Sequence, residues 1–127
     1  MDFVWVGLGS AIGGMARHWM SLVTLKRFGP DFPWGTLFVN VIGSFVIGLI
    51  SILVLQGRSP FSNLSVQRFL LVGLLGGFTT FSSFSLQTLQ LFEKGQNLGA
   101  TLNIVGSLAS CLFAVWLGFR VGRSILS

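Results

Sequence analysis

Four apolar runs fill most of this chain, each close to the roughly 20 residues that cross a bilayer's hydrocarbon as a helix. They run from about Phe3 to Leu25, Gly35 to Leu55, Arg68 to Phe92 and Leu98 to Phe119. In hydrocarbon every backbone N–H and C=O needs a partner from the protein itself, which leaves helices or a closed barrel. Runs this long and continuous predict helices. Only 9% of residues are charged, against about 25% in soluble domains, so the expected architecture is a single four-helix transmembrane domain over residues 1–127, embedded in lipid. The opening Met1-Asp2-Phe3-Val4-Trp5 lacks the basic stretch of a secretory signal and reads as the start of a mature first helix.

The links are short and carry turn residues. Lys26 to Pro33 contains two prolines and a glycine, Gln56 to Gln67 holds Arg58, Pro60 and Asn63, and Glu93 to Asn97 is brief. Small residues recur at four-residue spacing in Gly9/Gly13, Gly73/Gly77, Gly118/Gly122, Ser44/Gly48 and Gly106/Ser110. Such pairs let helix backbones approach closely within a membrane bundle.

Four spans put both termini and the second link on one side. Arg58, Arg68, Arg120 and Arg123 fall there, and Lys26, Arg27 and Lys94 fall opposite. Lys/Arg asymmetry sets orientation, and four against three sets none. Such a chain can insert both ways up, and two copies can pair head to tail about an axis in the membrane plane. Four short helices enclose little space, so a pathway shared between subunits is favoured.

Gly76-Gly77-Phe78-Thr79-Thr80-Phe81-Ser82-Ser83-Phe84-Ser85 interrupts the third run with two glycines, five hydroxyls and three aromatic rings. Glycines followed by hydroxyls can open or bend a helix, and a loosened backbone at membrane depth persists only when buried in protein or lining a wet cavity. The segment predicts a broken third helix and a path for an ion or small polar solute. Phe81 and Phe84 are three apart and share a helix face, which Gln87 and Thr88 extend. The positive edge of an aromatic ring is a weak anion partner, and Ser82, Ser83 and Ser85 add hydroxyl donors.

Other chemistries find no residues. The acids Asp2, Asp31 and Glu93 lie at the N-terminus or in links, so neither a proton-coupled carrier, which needs a titrating group at membrane depth, nor carboxylate-based hydrolysis has its parts. Cys111 and His18 are each alone of their kind, which excludes a disulfide framework or Cys/His metal site within one chain. The net charge of +5 is spread singly and provides no nucleic-acid patch.

Arg17 and Asn40 are polar side chains set within the first two spans. Arg17 sits roughly 5 Å past the middle of the first at 1.5 Å rise per residue; it either snorkels to the headgroups or faces a watery vestibule and attracts anions. Asn40 lies a quarter of the way into the second, where its amide either ties two helices together or hydrogen-bonds a passing solute.

Gly13-Gly14-Met15-Ala16-Arg17, Gly35-Thr36-Leu37-Phe38-Val39-Asn40, the segment Gly76 to Ser85 and Gly106-Ser107-Leu108 together resemble the Fluc/CrcB family of bacterial fluoride channels. The resemblance spans all four helices. It implies an all-α, dual-topology antiparallel homodimer in the bacterial inner membrane, with two pores through which cytoplasmic fluoride leaves passively down its electrochemical gradient, and no enzymatic activity or organic cofactor. On this resemblance Phe81 and Phe84 are the rings that meet fluoride through their edges and Asn40 is the pore amide. Ser82, Ser83 and Ser107 belong to a polar track, and Arg17 and Thr36 stand near the vestibule. The carbonyls of Gly76 and Thr79 from both subunits hold a structural sodium ion at the dimer centre. Many members carry Thr in place of Ser83, which keeps the hydroxyl. Many also have Glu in place of Gln87; the amide still hydrogen-bonds but has no charge or proton to offer. Two other classes fit a chain of this size: a small dual-topology exporter of organic cations or metabolites, which wants a membrane-embedded carboxylate, and a non-transporting assembly subunit, in which the Phe and Ser face is a partner interface.

Overall fold

Turn chemistry sets where the helices begin and end. In the computed structural model, which describes residues Met1–Ser127, helix α1 covers Asp2–Phe28. It stops at Gly29, whose φ of 81° suits a residue without a side chain and whose N–H donates to Leu25 O. Pro33 then precedes α2, Trp34–Leu55. Asn63 caps the short α3, Leu64–Gln67, its side-chain oxygen accepting from Ser65 N at 2.8 Å. The chain continues as a π-helix over Arg68–Leu75, then α4, Gly76–Phe78, α5, Phe81–Glu93, and α6, Asn97–Leu126. No strand is present.

Three stretches are long and apolar enough to cross a membrane: α2, the run Leu64–Glu93 that contains α3 through α5, and α6. Helix α1 matches them in length with 27 residues but is less apolar, because Ser10, Gly13, Gly14, Arg17 and His18 dilute its middle. At 30 residues, α6 extends well past the apolar run read from the sequence. Rings of Phe28, Phe32, Trp34 and Phe38 cluster around the first link, with centroids 4.8–6.1 Å apart, and Trp34 among them is the ring type that suits a membrane interface.

Glycines decide the packing. A Cβ on Gly13 would strike the Leu74 carbonyl, and one on Gly77 would lie 2.6 Å from Ser10 O, so α1 lies backbone to backbone along the π-helix and α4. Gly48 and Gly118 do the same for α2 and α6, where an added Cβ would meet Val115 O or Phe45 O. Gly106 departs from this pattern: nothing lies within 4 Å of its Cβ position, so it is not a close-packing site within this chain. Only 21 of 127 residues are buried, and Leu102, Leu112, Phe113 and Trp116 of α6 stand exposed, a surface suited to lipid or a second protomer.

Candidate functional site

Two consecutive residues between α4 and α5 are extended: Thr79 at φ −85°, ψ 158° and Thr80 at φ −155°, ψ 115°. The Thr80 backbone therefore turns away from the helical ladder, and Asn40 of α2 takes up both of its polar groups. Thr80 N donates to Asn40 Oδ1 at 2.8 Å, and Asn40 Nδ2 donates to Thr80 O at 3.0 Å. Arg17 Nη1 reaches from α1 to Thr79 O at 3.4 Å, so the half-buried guanidinium is turned toward the interruption rather than outward to headgroups. Gly43 leaves the room: a Cβ there would strike Thr79 Cγ2.

Helix α5 restarts with its own cap. Thr80 Oγ1 accepts from Ser83 N at 3.1 Å, donates to Ser83 Oγ at 3.1 Å and lies 3.2 Å from Ser82 Oγ. Through Ser83 N this cap satisfies one of the first turn's free N–H groups. Phe81 and Phe84 stack beyond it with centroids 5.3 Å apart and ring planes at 48°. Phe81 is 72% exposed and Phe84 only 9%, so one ring is anchored and the other open.

A groove of about 370 Å³ gathers Asn40, Thr79, Thr80, Phe81, Phe84 and Ser107, with Gly76 on its wall. None of its lining residues is charged. Ser82 and Ser83 do not line it, nor does Arg17. Thr36 faces a second cavity, of about 280 Å³, bounded by the first link together with Gln87, Gln90 and Lys94. Gln87 Oε1 is buried without a hydrogen-bond partner. Sequence reasoning missed Asn103, which is 1% exposed and donates through Nδ2 to Thr88 Oγ1 at 2.9 Å while its Oδ1 accepts from Ser107 Oγ at 3.3 Å. The available signal was its position one helical turn before Ser107.

Long apolar helices, few buried residues and an uncharged polar groove beside an extended interruption define a multi-pass, all-α membrane protein. Its residues 4–119 match the family model described as CrcB-like protein, Camphor Resistance (CrcB), and the chain belongs to that family. It is 51% identical over 127 residues to the fluoride-specific ion channel FluC of Paramagnetospirillum magneticum, covering 100% of this chain and 98% of the relative. The proteins of the same description from Methylocella silvestris and Opitutus terrae are 48% identical over 126 residues and 47% over 116. Coverage is 98% of this chain and 95% of the relative for the first, and 91% and 88% for the second.

Proposed function

We propose that this chain is a fluoride-selective channel of the bacterial inner membrane that lets cytoplasmic fluoride out down its electrochemical gradient. The observation that carries this reading is the groove: amide, hydroxyl and aromatic side chains converge there and no carboxylate lines it. Pore dimension and lining donors decide which ion can exchange its water for protein. Fluoride is small and accepts hydrogen bonds strongly, whereas chloride is larger and accepts them weakly. The ring edges of Phe81 and Phe84 and the second N–H of Asn40 supply donors along the groove, and the Ser107 hydroxyl lies beside them. Ser82 and Ser83, on the adjoining turn, extend the hydroxyl track, and Thr36 and Arg17 shape the approach.

The groove is open along one side, and a second copy closes it. With Lys/Arg balanced across the membrane, the two copies insert in opposite directions and pair as an antiparallel homodimer with two pores, α1 completing the fourth span of each. The residues fit a structural sodium ion at the dimer centre. Thr80 N is committed to Asn40, which leaves the exposed Gly76 carbonyl without its usual helical donor, and Thr79 O receives only the long contact from Arg17. Carbonyls freed at membrane depth suit a cation. When bound, sodium supplies fixed positive charge that holds the two interruptions together.

Liposomes loaded with potassium fluoride are expected to empty when a potassium ionophore is added, without a pH gradient, while those loaded with potassium chloride stay full. Equal chloride release would end the fluoride assignment. A strict need for a proton gradient would indicate a carrier, and no release from folded protein would indicate an assembly subunit.

A further inference from the structure

A buried relay of hydrogen bonds runs behind the groove, and all its protons point one way. Thr88 Oγ1 donates to Phe84 O at 2.7 Å, Asn103 Nδ2 donates to Thr88 Oγ1 at 2.9 Å, and Ser107 Oγ donates to Asn103 Oδ1 at 3.3 Å. Thr88 and Ser107 are each 7% exposed and Asn103 1%, so these groups have little access to water. A hydroxyl has one proton and two lone pairs. With its proton given inward, Ser107 shows the groove only lone pairs, which repel an anion.

The same three side chains admit the opposite register. If the Asn103 amide turns over, Thr88 donates to Asn103 Oδ1 and Asn103 Nδ2 donates to Ser107 Oγ. The Ser107 proton is then free to point into the groove. Phe84 O still has its place in the backbone ladder of α5, so no buried group is orphaned, and neither register carries the cost of an unmade bond. An anion beside Ser107 favours the second register and a water donating to Ser107 favours the first. Resting on the fluoride-channel reading, we infer that Asn103 is a positioning residue for anion passage, its amide turning over to switch the Ser107 hydroxyl from a face that repels fluoride to one that donates to it.

Side-chain NMR of the full-length protein labelled with 15N-asparagine in lipid nanodiscs tests this directly, with sodium fluoride against sodium chloride. Fluoride is expected to shift the Asn103 amide resonances where chloride does not, and Ser107→Ala is expected to abolish the shift. In liposome efflux, Asn103→Leu and Ser107→Ala are each expected to slow fluoride about tenfold, the scale of one hydrogen bond. Because both remove the same relay, the double variant is expected to be no slower than the worse single one. An Asn103 amide indifferent to fluoride in a protein that conducts it overturns the relay, and so do losses that multiply to about a hundredfold in the double variant. If the unsubstituted protein does not release fluoride, the channel reading falls and the relay with it.

Discussion

Asn40 and Thr80 form a two-point pair in which a side-chain amide replaces the backbone partners that an unbroken helix would have supplied. The two bonds, 2.8 and 3.0 Å long, join residues forty positions apart in the sequence. One ordinary asparagine thus holds the interruption open and, from the same position, lines the groove beside it.

The pair predicts how Asn40 variants rank. Asn40→Leu leaves both polar groups of Thr80 without partners at membrane depth, and each such loss costs about 1–3 kcal/mol. Asn40→Asp can accept from Thr80 N but cannot donate to Thr80 O when ionised, and it places a negative charge on the groove. Unfolding measurements are expected to show Asn40→Leu the less stable of the two, while both variants lose most fluoride efflux. A variant as stable and as active as the unsubstituted protein would show that the pair holds nothing.

Phe81 and Phe84 are expected to separate folding from conduction. Phe84 is 9% exposed and Phe81 72%, so Phe84→Ile leaves a misfitted site in the protein interior and costs stability, on the order of 1–3 kcal/mol for a poorly matched core shape. Phe81→Ile removes a ring edge from the open side and leaves the thermal midpoint nearly unchanged. Both are expected to reduce fluoride flux strongly. Near-normal flux through folded Phe81→Ile would assign that ring to lipid or subunit packing.

Gly13 and Gly14 are neighbours with opposite surroundings. A methyl on Gly13 would collide with the Leu74 carbonyl, whereas nothing lies within 4 Å of the Cβ position of Gly14. Gly13→Ala is expected to destabilise the protein by about 1–3 kcal/mol, the usual cost of overpacking. Gly14→Ala is expected to be neutral, or stabilising by a few tenths through reduced chain entropy. Denaturant titrations of the two variants side by side check this. Equal damage from both would mean that Gly14 meets a surface the protomer alone does not present.

The legible part of this molecule was the part written in local chemistry. Apolar length located α2, the Leu64–Glu93 run and α6, and the glycines and hydroxyls from Gly76 to Ser85 marked the stretch where the backbone leaves the helix at Thr79 and Thr80. Long-range pairing was not legible. Both readings of Asn40, a tie between helices or a contact for a solute, were open until its partner was known, and that partner is backbone, which carries no residue signature. Arg17 likewise finds a carbonyl rather than a charged side chain. The π-helical turns over Arg68–Leu75 follow no local motif; they lie where glycines of α1 press against the chain. Asn103 was hidden by its neighbours, since one amide in an apolar helix shows its role only when Thr88 and Ser107 close around it.

Sodium is expected to matter to structure rather than to transport. Exchanging it for a large organic cation should lower the thermal stability of the proposed dimer and leave the helicity of each chain intact, because the Gly76 and Thr79 carbonyls lie at the interruption rather than in the helical ladder. Dimer stability that does not change between sodium-rich and sodium-free buffers would remove the ion from the proposed centre.

Orientation gives the sharpest test of the assembly. Arg58, Arg68, Arg120 and Arg123 stand against Lys26, Arg27 and Lys94, so a few added charges are enough to break the balance, and cytoplasmic links carry the excess of Lys/Arg. Three lysines inserted in the link between α5 and α6 should hold that link inside and leave every copy facing one way. Three placed between α2 and α3 should hold the opposite orientation. Expressed alone, each biased protein is expected to lose nearly all fluoride efflux, since an antiparallel dimer needs both orientations. Expressed together they are expected to regain it, and cysteine accessibility on each side of the membrane reports the topology independently of flux. Full activity from one strongly biased protein, with its topology verified, would overturn the antiparallel assembly while leaving the groove and its chemistry in place.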